Sequence, residues 1–545
     1  MTASTSAGDR SQRVVVIGGG VAGLATAALL ARDGHRVTLL EKNDEVGGRA
    51  GTWEKDGFTF DTGPSWYLMP ECFDHFFALL GTRVEDHVRL ETLTPAYRVF
   101  GEEYEAPLDV VTGRDEVAAL FESVEPGGGA AITRYLDSAR ETYEKAVGSF
   151  LYTTFSHIPL RTLVRLAPRL GTLARLLLEP LSSRASRTVR DTRLRQILGY
   201  PAVFLAAQPR TAPSMYHLMS SMDMEDGVRY PVGGFGALVA AIAGLACGAG
   251  VEIRTGVDVT QIRTAARRGR RALATGVTAR TADGHEERID ADLVVSTADL
   301  HHTETQLVPR ELATYPEPFW RTRTSGPGAV LVLLGVEGRL PELTHHNLFF
   351  TADWDANFDA VFGDAPVVPD PASSYVCMPS ATDPSVAPEG MENLFVLVPV
   401  SPDAPDGPGG APGESLGHGG VDGEGDPRIE AAADAAIAQI AAWARIPDLA
   451  GRVRVRRTIG PADFATDYRA WRGNALGPAH TLRQSAFLRG SNASRRVEGL
   501  LYAGATTVPG VGLPMCLISA ENVVKRVRGD RTDGPMPEDA LRRRR

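Results

Sequence analysis

At 545 residues the chain is too long for one hydrophobic core and is expected to build two or more structural units. Hydrophobic residues make up 43% and charged residues 23%, a balance that excludes a fibrous or wholly disordered protein. The net charge of −10 gives no whole-molecule field that attracts nucleic acid. The scattered Cys72, Cys247, Cys377 and Cys516 form no CxxC pair, which argues against zinc, iron–sulfur and dithiol chemistry and for a reduced, cytoplasmic compartment.

The first twelve residues are polar and lack an apolar core, so they read as a disordered leader, neither a secretion signal nor an anchor. Arg13 to Ile17 is an apolar run that ends on glycines, Ala22 to Ala31 has helical character, and Arg36 to Glu41 reads as a second strand. Together they predict a βαβ unit of about 30 residues with Gly18, Gly20 and Gly23 in GxGxxG spacing at its turn. Gly18 suits the tight turn, Gly20 lets backbone approach a pyrophosphate at the helix start beside Val21 and Ala22, and Gly23 allows close helix–strand packing. Glu41 is placed to accept from adenosine ribose hydroxyls and disfavours a 2′-phosphate. Gly47-Gly48-Arg49 then adds backbone N–H groups and a cation for a ligand that extends further, which points to FAD rather than NAD.

Farther on, Asp56-Gly57 between alternating residues predicts a hairpin. Between Arg161 and Arg195 nine arginines stand against only Glu179 and Asp191, and Leu160, Leu163, Val164, Ala167 and Leu170 recur at helical spacing. That pattern predicts a basic amphipathic helix laid on an anionic membrane surface, with an ordinary solvated face as the alternative. Pro231 to Val251 is uncharged, but its six glycines leave too little transfer energy for a membrane span, so a buried helix is expected. Val251 to Ile262 and Asp292 to Ser296 return to sheet character. Ser401 to Arg428 holds 14 glycines and prolines and six acids, the composition of a flexible insertion. Leu500 to Ala503 reads as a strand, and Pro514 opens a helix whose positive end can face a reduced flavin. From Gly529 onward a disordered tail is expected.

These residues resemble the bacterial phytoene desaturases, FAD-dependent carotenoid desaturases related to amine oxidases and to carotenoid isomerases. The resemblance runs over about residues 13 to 528. Its motifs are the opening RVVVIGGGVAGLATAALLARDGHRVTLLEKNDEVGGRA, FDTGPSWYLMP (Phe60 to Pro70), GVRYPVGGFGAL (Gly227 to Leu238), ADLVVSTAD (Ala291 to Asp299), PSATDPSVAPEGMENLFVLVPV (Pro379 to Val400), DFATDYRAWRGNALG (Asp463 to Gly477), and the terminal GATTVPGVGLPMC. The chain departs from that family at Val508, where many members carry histidine, and at Met515-Cys516, where they carry Gly-Val. Thr162 stands in place of an acid, while Arg165 keeps the family's arginine.

The resemblance implies an α/β fold: a discontinuous Rossmann-like FAD-binding domain (residues 13–100, 225–300 and 455–528) plus a mixed α+β substrate domain with a helical membrane-facing part (101–224 and 301–454). Beyond the first turn it implies cofactor contacts at Lys42, Gly48, Arg49, Gly63, Pro64, Ser65, Val259, Gly504, Ala505, Gly512, Pro514 and Met515. The implied substrate is a long hydrophobic polyene, phytoene and partly desaturated carotenes, carried toward lycopene by hydride transfer and then proton loss, an order that needs no strong base. Asp61 and Arg165 are the candidate polar catalytic groups, with a turn cap and a solvated face as their plain alternatives. Trp66, Tyr216 and Tyr230 are candidates for tunnel wall or core. His301-His302 and His345-His346 lack metal-ligand spacing, so no metal is expected. The expected partners are a membrane surface, with the protein cytoplasmic and peripheral to it, and a quinone or oxygen as electron acceptor. Competing readings are a carotenoid isomerase or oxygenating relative, a C30 desaturase, an amine oxidase and a non-catalytic lipid-binding flavoprotein.

Overall fold

In the computed structural model, described over residues 11–155, 170–402 and 416–541, five parallel strands lie in the spatial order Leu500–Tyr502, Leu293–Ser296, Arg13–Ile17, Arg36–Leu40 and Glu252–Arg254. The sheet gathers the beginning, middle and end of the chain. Its central strand Arg13–Ile17 is buried from Val14 onward, as a parallel strand covered on both faces must be. Helix Val21–Arg32 follows at once, and its run of small residues lets it pack closely on helices Gly234–Gly248 and Leu513–Arg528. The core there joins Leu24, Leu29, Leu238, Ile242 and Val523. Ligands of such sheets sit beyond the carboxyl ends of the strands.

The hairpin forms from Thr52–Lys55 and Phe58–Asp61, with Asp56 (φ 51°) and Gly57 (φ 82°) both in the left-handed region its two-residue turn demands. It packs Phe58 and Phe60 on a seven-stranded sheet of order Val453–Ile459, Gly328–Glu337, Met391–Val400, Ser374–Cys377, His346–Phe350, Tyr97–Gly101 and Leu108–Val110. Only the pair His346–Phe350 and Tyr97–Gly101 is parallel in it. Helix Pro427–Trp443, with Ile429, Ala433, Ile437 and Ile440 at helical spacing, covers its other face. Helices Arg114–Val124, Gly128–Ala146, Leu181–Thr188 and Thr192–Gly199 pack against its end formed by Tyr97–Gly101 and Leu108–Val110.

Several expectations are revised. Strands Tyr97–Gly101 and Val453–Ile459 both belong to the seven-stranded sheet, so boundaries at 100 and 455 cut through it. Helix Gly234–Gly248 buries Phe235, Leu238, Val239 and Ile242 but leaves Cys247 exposed, so it is covered on one face only. In the expected flexible insertion, residues 416–428 are ordered: Gly419 N–H donates to Asp463 Oδ2 (2.7 Å) and Gly420 N–H to Thr458 Oγ1 (2.8 Å), while residues 403–415 lie outside the described residues. The expected disordered tail packs as far as residue 541. Met536 and Leu541 are buried, and Met536 N–H donates to Glu521 Oε1 (2.6 Å).

Of the basic stretch, residues 156–169, with Arg161, Thr162, Arg165 and Arg169, lie outside the described residues, as do the leader up to residue 10 and Arg542 to Arg545. The remainder forms three short helices, Leu170–Leu178, Leu181–Thr188 and Thr192–Gly199. Pro180 precedes the second, and Asp191 caps the third by accepting from the N–H groups of Arg193 and Leu194. Arg187 pairs with Glu179, Arg193 with Asp191 (3.3 Å), and Arg184 donates to Ser138 Oγ (2.8 Å).

Candidate active site

One continuous cavity of about 1120 Å³ runs from the glycine turn after strand Arg13–Ile17 to the seven-stranded sheet. Its wall includes Gly18, Gly20, Val21, Ala22, Glu41, Lys42, Gly48, Arg49, Gly63, Pro64, Ser65, Val259, Gly504, Ala505, Gly512, Pro514 and Met515, all expected from the sequence as cofactor contacts. Gly23 is not in the wall. A Cβ there would stand 1.9 Å from the Gly18 carbonyl oxygen and 2.8 Å from Thr297 Oγ1, so this glycine exists for helix–strand contact.

The glycine end is built for a dinucleotide. Gly18 has φ +98°, open to glycine at little cost. The buried Glu41 carboxylate accepts the Gly19 N–H on Oε2 (2.6 Å) and the Asn43 N–H on Oε1 (2.9 Å), which orients it at the cavity wall with further lone pairs for ribose hydroxyls. Arg49 Nε has no hydrogen-bond partner, and the guanidinium reaches only the Asn474 carbonyl at 3.5 Å. Burial pulls the Arg49 pKa below its ordinary value, with Asp299 the largest opposing influence. A cation so placed, without an ion pair among the described residues, fits a pyrophosphate. Helices Val21–Arg32 and Leu513–Arg528 both start at glycines that provide no side-chain cap, and their first residues line the cavity, leaving backbone N–H groups for a ligand.

Asp61 lies outside the wall. Its Oδ2 accepts the Phe235 N–H (2.7 Å) and its Oδ1 the Gly236 N–H (3.1 Å), so it caps helix Gly234–Gly248. Burial raises its pKa to about 6 against those two hydrogen bonds. Arg165 lies outside the described residues.

The cavity continues between aromatic side chains. Trp66 stacks on His346 (4.5 Å between centroids, 8° between planes) and touches Tyr97, Tyr200, Phe204 and Tyr375 at 5.3 to 6.2 Å. Trp66, Tyr200, Phe204, Phe350, Trp354 and Tyr375 line the chamber. Behind them Asp223 accepts from the hydroxyls of Tyr97 (3.1 Å) and Tyr200, and burial raises its pKa to about 7. Tyr216 also lines the wall, whereas Tyr230 packs on His345 at 4.6 Å and does not. Phe155, Leu177, Leu482, Phe487 and Leu488 belong to the wall as well, and Phe487 is 64% and Leu488 44% exposed, so the cavity opens at the surface through an apolar rim.

The sequence pointed to Trp66 and Tyr216 but not to Asp223 or the remaining rings. They come from segments far apart along the chain, and only burial could have been read from their patterns. The expectation that histidine and cysteine form no ligand cluster is also revised. His345, His346 and Cys377, each buried, bring one ligand atom apiece to within 4.8 Å of one another. His301 instead pairs with Glu317 (2.9 Å).

The model of the family "Flavin containing amine oxidoreductase" matches residues 21–528. A carotenoid 3,4-desaturase of Haloarcula japonica is 40% identical over 518 residues, covering 95% of this chain and 98% of its own. A zeta-carotene-forming phytoene desaturase of Myxococcus xanthus is 34% identical, covering 96% and 95%. Among solved structures, an oxidoreductase from Methanosarcina mazei superposes with a TM-score of 0.59 at 17% identity, covering 94% of this chain and all of that one. Putrescine oxidase with bound putrescine gives 0.58 at 14%, covering 95% and 99%. At such identities the two structures speak for the fold alone.

Proposed function

The chain belongs to the flavin-containing amine oxidoreductase family and uses FAD, and we propose that it desaturates an acyclic carotenoid, carrying phytoene toward lycopene. One observation carries this reading: a single cavity joins a dinucleotide cradle to a predominantly apolar, ring-lined chamber. A C40 hydrocarbon offers nothing to ionise or hydrogen-bond, so its binding must come from apolar burial at ~25 cal/mol per Å². The desaturases among the similar proteins support the same reaction class.

In this reading Gly18, Gly20, the first turn of helix Val21–Arg32 and Arg49 hold the pyrophosphate, Glu41 holds the ribose, and the start of helix Leu513–Arg528 faces the flavin ring. FAD, when bound, supplies the acceptor for a hydride. The protein's own part is to align an allylic C–H, keep water out, and present the ring faces of Trp66, Tyr200 and Phe204 to positive charge developing on the substrate. Proton loss from an allylic cation is easy, which agrees with a chamber built around rings rather than a charged base.

We place the exposed apolar rim, with the basic stretch beside Leu177 and Leu178, on an anionic membrane surface where substrate enters and a quinone collects electrons, oxygen being the other acceptor. Among the described residues no helix is long and apolar enough to cross a membrane. The 40% identity to a 3,4-desaturase supports a second reading, desaturation near the end of an already conjugated carotenoid. Anaerobic titration of the holoprotein with phytoene in liposomes decides between them. Bleaching of the flavin band, with a more conjugated product on chromatography, is expected. Bleaching by lycopene and none by phytoene would transfer the assignment to the second reading.

A further inference from the structure

His346 opens strand His346–Phe350 and stands directly opposite Cys377 on the antiparallel strand Ser374–Cys377. The ring of the preceding residue, His345, meets that of His346 edge-on at 4.6 Å. Each imidazole is held through Nδ1: His345 by Thr382 Oγ1 (2.8 Å) and His346 by the Tyr375 hydroxyl (2.7 Å). Both Nε2 atoms are buried and have no hydrogen-bond partner, and Cys377 is a buried free thiol. The described structure thus strands two nitrogens where water does not reach, a desolvation cost that a folded protein normally avoids.

We propose that His345, His346 and Cys377 form a binding site for a thiophilic d¹⁰ cation, copper(I) or zinc(II), ligated by the two imidazoles and the thiolate. With Nδ1–H donated to a hydroxyl oxygen, each Nε2 presents a lone pair, the arrangement in which outer hydrogen bonds fix a histidine ligand's tautomer and direction. A d¹⁰ ion has no electronic preference for geometry, and each of the three residues brings one ligand atom within 4.8 Å of the others, so modest side-chain rotation closes the set around it. Imidazole and thiolate are the ligands such ions select over oxygen donors. Copper(I) is satisfied by three ligands, whereas zinc(II) takes a fourth. The site would clamp strand His346–Phe350 to strand Ser374–Cys377 behind Trp66, which stacks on His346 and lines the chamber. It therefore acts as a positioning element and does not touch substrate.

The test uses the full-length protein carrying FAD, stripped with a chelator and then dialysed anaerobically against copper(I) or zinc(II) alone, with retained metal counted by elemental mass spectrometry. One equivalent per chain of either ion is expected, with a raised thermal midpoint, and whichever ion is held more tightly identifies the occupant. X-ray absorption at that metal's edge should show nitrogen and one sulfur. Cys377→Ser should abolish retention while keeping its flavin, and the milder Thr382→Val should weaken affinity about tenfold by freeing His345. Less than stoichiometric retention of both ions by the parent, equal retention by Cys377→Ser, or an absorption spectrum without sulfur would overturn the proposal.

Discussion

Replacing Glu41 by glutamine probes how the dinucleotide end is built. Both carboxylate oxygens are committed to backbone N–H groups, at 2.6 Å to Gly19 and 2.9 Å to Asn43. Glutamine keeps one acceptor and turns the other into an amide donor pointed at a backbone N–H. One charge-assisted hydrogen bond, about 1.5–3 kcal/mol, disappears, and a buried N–H loses its partner at a further ~1–3 kcal/mol. The turn that loosens carries Gly18 and Gly20 in the cavity wall, so about 3 kcal/mol should fall on FAD affinity, a factor of ~100. Glu41→Ala should lose a similar amount, so the isosteric change brings no rescue. Titration of apoprotein with FAD, followed by flavin fluorescence, measures the affinity, while the thermal midpoint of the apoprotein separates damage to the fold. Glu41→Gln binding FAD within about threefold of the parent would show that the second acceptor holds nothing and would sink the reasoning.

Arg49→Met should weaken FAD binding about tenfold or more while raising the thermal midpoint of the apoprotein, because it removes a buried cation that makes no ion pair among the described residues; a drop in both would contradict the fit. Asp61→Ala should cost about 0.5–2 kcal/mol of stability as a lost helix cap and leave turnover per bound flavin nearly unchanged, whereas a loss of turnover at unchanged stability would restore a catalytic role. Asp223, raised to about 7 from 3.8, keeps its proton in the folded state over that interval. Its contribution is complete below pH 3.8 and is lost as pH rises toward 7, so Asp223→Asn should flatten the fall of the thermal midpoint between pH 4 and 7, and an unchanged slope would place the titration elsewhere. Replacing Phe487 and Leu488 together by serine should reduce flotation with anionic liposomes at high salt, where the apolar part of docking remains, and leave flavin content intact; equal flotation would move the entrance away from this rim.

What was legible in the sequence was local. The glycine turn, the acid ending the second strand and the Asp56-Gly57 hairpin each depend on residues within a few positions of one another, and each lies where its pattern put it. What was not legible depends on distant partners. Asp61 looked like a polar group beside the flavin because the backbone it caps is 174 positions later in the chain. By composition residues 416–428 read as flexible, because glycine usually means freedom. Yet a Cβ on Gly419 would stand 2.0 Å from the Thr458 carbonyl oxygen, so that glycine is a requirement of close approach. The amphipathic pattern from Leu160 to Leu170 falls mostly outside the described residues, and farther along the partners of Arg187, Arg193 and Arg184, namely Glu179, Asp191 and Ser138, are a matter of tertiary packing that periodicity does not report. His345, His346 and Cys377 had no ligand spacing because strand pairing, not sequence distance, brings them together.

The tyrosines of the chamber bear on which polyene it suits. Tyr200 points its hydroxyl to Asp223, Tyr375 to Ser65 and His346, and Tyr216 to His480 and Ser485. Each hydroxyl is satisfied within the protein, and each residue lines the cavity, so the surface left for a ligand is ring. A hydrocarbon entering beside these rings leaves none of the three hydroxyls without a partner. A polyene with a hydroxyl would have to be desolvated against hydroxyls already engaged, with the indole N–H groups of Trp66 and Trp354 among the unpartnered donors of that wall. Those two are donors only, so they could receive an oxygen lone pair but not accept its proton. The energetic asymmetry between a neutral loss and an orphaned polar group therefore runs toward an unsubstituted carotene, which supports the proposed hydrocarbon substrate over an oxygenated one.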